Sequence, residues 1–374
     1  MKIRSIETIA VRLPLKPERR MISALGSQVA GQFVLVKVIA DNGLIGLGEA
    51  SVTPRWSGET VWGAAALITK LFGPAMNGCD PCDHPEVDRR LDAMTVDNWF
   101  AKSAVEMACW DLEGRQRGLP VYELLGGACR PLTIRSRFSL GAYTAAIARQ
   151  RARELVELGF ETIKIKVGTN PEGDVERVRA VRDEVGPSIA LTVDANGGWN
   201  ESQALWVLSR LADANISIVE QPLPRGQYAG LKRLRAATGC KILADESCFD
   251  EVEAVELIEQ DCCDAISLYP GKQGGIAKAV RIAKLAEQHG LPCSIGSNLE
   301  WDVATAAMLH FIVATPNMRV ELLPGDCLGP SYYETSLAKY PIRIEGSLTT
   351  LASAPGLGID LDWELVERYR IELG

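Results

Sequence analysis

The sequence predicts an α/β protein in which a parallel (β/α) barrel follows an N-terminal α+β unit. Three observations carry this reading. From about residue 133 onward, short apolar runs of four to six residues alternate with amphipathic stretches of 12 to 18 residues, the pattern of repeated parallel βα units. The first 125 residues lack that alternation and open with strand-like runs. The residues that close the later apolar runs are Lys, Asp and Glu in ordered succession, where a parallel barrel collects its chemistry.

Composition sets the outer limits. At about 100 to 200 residues per domain, 374 residues allow two or three domains. Forty Lys and Arg stand against 48 Asp and Glu, so the net charge is -8 and there is no basic excess to suit a phosphate backbone. Nucleic acid is therefore not an expected partner. Apolar runs such as Phe33-Val-Leu-Val are broken, here by Lys37, well short of the roughly 20 residues that span a bilayer. The opening Met1-Lys-Ile-Arg-Ser-Ile-Glu7 reads as a strand and not as a signal peptide, so no membrane association and a cytoplasmic location are expected. Ten cysteines spread over so long a chain read as reduced thiols. Cys79-x-x-Cys82 with His84 has no second ligand pair, which argues against zinc.

Taken in order, strands are expected over 3–12, 32–40 and 44–49, with Asp41-Asn42-Gly43 as a hairpin turn. The clearest helix of this unit covers 101–117, where Val105, Ala108, Cys109 and Leu112 recur at helical spacing and Gly118 with Pro120 end it. Eight barrel strands are expected over 134–140, 162–167, 189–193, 216–219, 242–244, 265–269, 292–295 and 318–322. Intervening helices cover 145–158, 171–185, 202–212 and 276–289. Repetition favours a closed barrel over an open sheet, although periodicity by itself does not distinguish them. The expected boundaries are 1–125 for the cap, 126–341 for the barrel, and a tail over 342–374 that returns to the cap.

The strand ends carry the chemistry. Asp194, Glu220 and Asp245 close the third, fourth and fifth strands, spaced 26 and 25 residues apart, one βα unit each. Oxygen-only donors suit a hard cation, Mg²⁺ with Mn²⁺ as a substitute, better than zinc. Asn196 and Glu246 stand beside them as supporting groups. Lys164 and Lys166 lie two apart on the second strand and so face the same side. Their mutual repulsion and a nearby cation lower the pKa of one, which makes Lys166 the expected base and Lys164 a contact for a substrate carboxylate. Lys272 follows the sixth strand in Tyr269-Pro-Gly-Lys-Gln-Gly-Gly275 and faces Lys166 across the barrel. A cation plus lysines suits removal of a proton α to a carboxylate, because the enediolate charge must be stabilised as it forms.

At these residues the chain resembles the enolase superfamily, specifically the muconate lactonizing enzyme subgroup of the mandelate racemase and muconate lactonizing enzyme family. The resemblance covers essentially the whole length: Ala108-Cys-Trp-Asp-Leu-Glu-Gly114, Leu124-Leu-Gly-Gly127, Lys164-Ile-Lys166, Val193-Asp-Ala-Asn196, Val219-Glu-Gln-Pro222, Ala244-Asp-Glu-Ser247, Lys272-Gln-Gly-Gly275 and Gly296-Ser-Asn298. It implies a modified TIM barrel, (β/α)7β, capped by an N-terminal α+β domain. It also implies Mg²⁺ on Asp194, Glu220 and Asp245, acid/base lysines Lys166 and Lys272, and a homo-oligomer. The mandelate racemase branch is known for a catalytic His at the seventh strand. None of His84, His289 and His310 falls there, which directs the reading to the other branch.

For the substrate, the resemblance points to the loops over 19–27 and 54–58 and to the end of the eighth strand over 321–326. Trp56 and the Glu321-Leu pair look like muconate-type cycloisomerases, although Leu-Pro-Gly-Asp replaces their usual continuation. Pro324-Gly-Asp326 is similar to N-acylamino acid racemases, and the Asp-x-Asp pair usual in dipeptide epimerases is absent. Arg19, Arg20 and Arg55 are candidates for a second carboxylate, with solvated loop charge as the plain alternative. The expected substrate is a small carboxylate, and the expected activity is cycloisomerisation of a muconate-like diacid. Racemisation or epimerisation of N-acylamino acids or dipeptides, hydroxy-acid dehydration, and an inactive ligand-binding barrel are the alternatives.

Overall fold

The computed structural model describes residues 1–373. The N-terminal unit is an antiparallel sheet in which β1 (Ile3–Pro14) pairs with the fourth strand of the chain along its whole length. A short hairpin, β2 (Met21–Ser23) and β3 (Gly26–Gln28), precedes β4 (Ala30–Ala40) and β5 (Ile45–Ser51), giving the order β1-β4-β5. The hydrophobic pattern does not announce this hairpin, because Met21 and Ile22 are its only large apolar strand residues. Asp41-Asn42-Gly43 makes the expected turn, with Gly43 at φ 87°.

The helix Trp99–Arg117 lies on β5. It approaches so closely that a Cβ at Gly46 would sit 2.0 Å from the Ala108 carbonyl oxygen, and one at Gly48 would sit 1.8 Å from that of Ala104. Glycine on alternate strand positions and alanine on the facing helix ridge let two backbones touch.

After β6 (Thr133–Arg135), seven parallel strands form one continuous sheet in chain order: β7 (Phe138–Leu140), β8 (Thr162–Lys166), β9 (Ala190–Asp194), β10 (Ile216–Glu220), β11 (Ile242–Ala244), β12 (Ala265–Leu268) and β13 (Cys293–Ile295). A helix follows each, as the alternation in the sequence predicts. Inside the curl, Ile218, Leu243 and Ala265 pack together with Leu323.

The eighth barrel strand, expected over 318–322, is not a strand. Only Met318 bridges to Cys293, and the chain then turns. Closure is made by separate hydrogen bonds: Arg319 N donates to Cys293 O at 2.8 Å, Ser294 Oγ to Leu323 O at 2.8 Å, and Arg137 N to Gly325 O at 2.8 Å. The segment thus spans from β13 to the residue before β7. The strand expected over 134–140 is likewise divided, and its first part joins β14 (Arg343–Glu345) and β15 (Leu348–Thr350) in a separate antiparallel sheet. Tail residues meet the N-terminal unit at several points: Val121 N donates to Gly356 O at 3.0 Å, Leu357 N to Asp111 Oδ1 at 2.8 Å, and Ile371 N to Ala10 O at 2.9 Å.

Three of the helices that lack a capping side chain of their own share one solution. Asn98 precedes Trp99–Arg117 in the left-handed region at φ 54°, Gly275 precedes Ile276–Gln288, and Trp301 precedes Asp302–Ala314. Each takes a buried glutamate from elsewhere. Glu59 accepts from Phe100 N and Ala101 N at 2.9 and 3.0 Å. Glu106 accepts from Ile276 N and Ala277 N, both at 2.9 Å, and from Trp110 Nε1 at 2.7 Å. Glu49 accepts from Trp301 N at 2.7 Å and Ala304 N at 3.0 Å. These carboxylates satisfy orphan donors and complement the helix dipole, while burial pushes all three up to about 7. Glu49 and Glu106 cross from the N-terminal unit to barrel helices. Among the described residues, no helix is long and apolar enough to cross a membrane.

Candidate active site

The C-terminal ends of β8 to β12 carry the ionic residues. Parallel register sets Lys166 beside Asp194, and Asp194 beside Glu220. Because side chains alternate along a strand, Lys164 and Lys166 project to one side, and both meet these acids. Lys166 Nζ donates to Asp194 Oδ2 at 2.6 Å, and Lys164 Nζ lies 3.1 Å from the same oxygen and 3.2 Å from Glu220 Oε1. Arg137 Nη2 donates to Glu220 Oε2 at 2.5 Å. On the far side of the row, Lys272 is fully buried and donates to Asp245 Oδ1 at 2.7 Å, Asp245 O at 2.8 Å and Ser267 O at 2.7 Å.

These charges sit almost out of water, so their partners decide their state. Burial alone would raise Asp194, but the ammoniums of Lys166 and Lys164 outweigh it and hold the carboxyl well below its usual range. Burial likewise opposes the charge on Lys164, yet Glu220 leads the groups that push its pKa up. The expected mutual depression of the two lysines is therefore offset at Lys164 by the acids around it. Asp245 is raised, first by burial and then, against Lys272, by the charges of Glu220 and Asp194. Burial, with Asp245 and Asp194, pushes Glu246 up to about 8.

Among the described residues, no three His, Cys, Asp or Glu side chains converge closely enough to hold a metal ion as placed. The carboxylates that sequence spacing aims at one point serve lysines and Arg137 instead. Their donor chemistry nonetheless fits a hard divalent cation. All the oxygens are carboxylate, the three side chains lie on adjacent strands, and Asp245 is burdened by its two anionic neighbours in a way a cation would relieve.

A cavity of about 400 Å³ lies over this row. Its barrel side is Lys164, Lys166, Asp194, Asn196, Asp245, Asn298 and Asp326; its cap side includes Arg12, Gln32, Arg55, Trp56 and the β2–β3 hairpin. Asp326 is buried, accepting from Leu328 N at 3.1 Å and Tyr332 Oη at 3.2 Å. Trp56, Asn196 and Asp326 line this cavity, and Glu246 accepts from Asn196 Nδ2 at 2.9 Å and Trp56 Nε1 at 3.0 Å.

Three other candidate residues, Glu321, Arg19 and Arg20, lie outside the lining. Glu321 lies on the exposed turn that replaces the eighth strand, paired with Arg130 Nε at 3.2 Å and outside the cavity lining. Arg19 is drawn to Ser331, with Nη1 2.8 Å from the carbonyl and 2.6 Å from Oγ, and borders a separate cavity of about 220 Å³. Arg20 is exposed, and its carbonyl accepts from Tyr143 Oη. Arg137 and Arg12 were not singled out by sequence. A charge within the expected strand 134–140 was the available signal for Arg137, since an arginine buried there must find an acid.

Residues 4–126 match the family described as mandelate racemase / muconate lactonizing enzyme, N-terminal domain, and residues 147–365 match the one described as enolase C-terminal domain-like. The chain belongs to the mandelate racemase / muconate lactonizing enzyme family. Within this family it is 33% identical to a chloromuconate cycloisomerase of Pseudomonas putida, covering 97% of this chain and 98% of that one. It is similar to the solved structure of a dipeptide epimerase from Enterococcus faecalis V583 complexed with Mg and the dipeptide L-Leu-L-Tyr: TM-score 0.90, 34% identity, 96% of this chain and 100% of that chain. The N-succinyl Arg/Lys racemase of Bacillus cereus ATCC 14579 gives TM-score 0.95 at 28% identity, over 100% of this chain and 99% of that chain. The barrel with its α+β cap is thus the architecture of this enolase-superfamily family.

Proposed function

We propose that the protein is a Mg²⁺-dependent racemase of N-acylated amino acids, moving the proton at the carbon α to the carboxylate. The observation that carries this reading is the placement of two buried lysines, Lys166 and Lys272, at opposite ends of one acid row, 2.6 Å from Asp194 and 2.7 Å from Asp245. In this reading the neutral amine of one lysine takes the Cα proton, and the C–H electron pair enters the enediolate. The ammonium of the other then donates a proton to the opposite face, so the two lysines exchange protonation states in each inversion. Asp194, Glu220 and Asp245 would hold the cation, whose chemistry is electrostatic stabilisation of the carboxylate as it gains charge. Lys164 binds that carboxylate, and the cap excludes water.

Asp326 separates this reading from cycloisomerisation. A buried wall acid suits the N–H of an acylated α-nitrogen, whereas a muconate offers two carboxylates and no donor. Glu321, which favoured the muconate reading, stands outside the cavity. The second reading keeps one support: Arg12 and Arg55 in the cap wall suit a distal carboxylate, as of a muconate or an N-succinyl group. Incubation of the Mg²⁺-loaded protein in D₂O with N-acylamino acids, dipeptides and muconates tests both. Deuterium at Cα with inversion supports the racemase, and a deuterated lactone overturns it.

A further inference from the structure

Trp56 is anchored in a way that neither the metal acids nor the lysines require. It leaves the N-terminal unit on the short helix Pro54–Ser57 and inserts its ring among Phe249, Tyr269 and Phe100, with centroids at 5.2, 5.8 and 5.9 Å. Its Nε1–H donates to Glu246 Oε1 at 3.0 Å, and the same oxygen accepts from Asn196 Nδ2 at 2.9 Å. Asn196 Oδ1 then accepts from Lys166 Nζ at 2.8 Å. The amide orientation follows from chemistry: the reversed amide would set its NH₂ against an ammonium and its oxygen against a carboxylate. Asn196 is further fixed by its backbone, which lies in the left-handed region at φ 44° and donates to Asp194 Oδ1 at 2.9 Å. Glu246 Oε2 is buried with no partner, so Trp56 and Asn196 alone locate this carboxylate by hydrogen bonds.

The opposite lysine is held differently. All three acceptors of Lys272 Nζ belong to the barrel, and its link to Trp56 runs only through the Tyr269 and Phe249 rings, whose centroids lie 5.0 and 6.0 Å from Nζ and which Trp56→Phe leaves a ring to pack against. We infer that Trp56 is a positioning residue whose N–H, through Glu246 and Asn196, makes the cap set the hydrogen-bond geometry of Lys166, whereas no hydrogen bond links it to Lys272. The role in catalysis rests on the racemase reading; the positioning itself does not. The hydrogen bonds of one lysine therefore run through the cap, while those of the other stay within the barrel.

The test compares the full-length wild type with Trp56→Phe, which keeps a ring in the slot and removes the donor. Phe100→Leu loosens the same slot without touching the N–H. Substrate-free reductive methylation with formaldehyde, followed by peptide mass spectrometry, reads each lysine. Labelling of Lys166 rises at least about fivefold in Trp56→Phe, with Lys272 within twofold of wild type, and neither changes in Phe100→Leu. Unchanged labelling of Lys166, or an equal rise in Phe100→Leu, overturns the inference.

The second readout uses D- and L-N-succinylphenylalanine in D₂O with Mg²⁺. In Trp56→Phe, the enantiomer deprotonated by Lys272 gains deuterium without inverting, so its ratio of exchange to inversion rises about tenfold; for the other enantiomer exchange and inversion fall together. Equal loss for both enantiomers overturns the asymmetry. If the wild type exchanges neither this compound nor any other on the panel, the racemase reading fails, and the labelling result still decides the positioning.

Discussion

Two sets of buried carboxylates lie within one chain and behave in opposite ways. Asp194, Glu220 and Asp245 at the barrel mouth answer to side-chain cations; Glu49, Glu59 and Glu106 answer mainly to backbone N–H groups at helix starts. Burial is the same, so the partner makes the difference. A cationic side chain can be exchanged for a metal ion or a substrate, and such a site can do chemistry. A helix N-terminus cannot be exchanged, and an acid committed to it is structural. The comparison teaches that burial and charge alone do not mark a functional acid; the replaceability of its partner does.

The sharpest test of this division is activity against stability. Lys166→Ala and Lys272→Ala should each lower proton transfer by about 10³-fold, measured as Cα deuterium exchange, with unfolding in urea close to wild type. Asp194→Asn should weaken Mg²⁺ binding by about 100-fold in calorimetry, again with little loss of fold. Glu106→Ala should do the reverse. It orphans the indole N–H and two amides at once, and should cost about 3 kcal/mol of unfolding free energy. Were Glu106→Ala inactive yet fully stable, the division would break.

A finer test uses pH. Glu49 binds its proton more readily folded, at about 7 against an ordinary 4.5, so its contribution is fully present below 4.5 and is lost as pH rises through 7. Glu49→Gln should flatten that decline between pH 5 and 7 by at most about 1.4 kcal/mol per pH unit, read from urea curves. His310 runs the other way. Burial lowers it to about 4, so its contribution is present above 6.5 and lost as pH falls through 4. The smallest effect belongs to an exposed pair: Glu345→Gln, which removes the partner of Arg343, should change stability by less than about 0.5 kcal/mol.

Much of this was legible in the sequence because it is local. The βα alternation, the Asp-Asn-Gly turn and the acids and lysines at strand ends are each written within a few residues. What escaped depends on distant partners. The apolar pattern at Met318–Val320 reads as a strand, yet the chain turns there and leaves Glu321 and Leu322 exposed. Nothing near Asn98, Gly275 or Trp301 reveals that a helix start is capped from afar, and Trp56 shows no sign of Glu246, 190 residues away. Arg19 illustrates the same limit: its charge suggested a carboxylate ligand, and its actual partner is Ser331.

The barrel wall is uneven, and the unevenness falls in a telling place. Seven staves share a ladder, where altering one shifts the register of its neighbours; the eighth is pinned by separate bonds from Arg319, Ser294 and Arg137. Asp326 rides on this last segment, while the acids and lysines of the mouth ride on the ladder. In the proposed function, the part that would meet the variable end of a ligand is thus mechanically separable from the part that would perform the common step. Such a segment can be rewritten as an exchangeable insert in a fixed frame, and one scaffold can pass from one substrate to another without refolding its core.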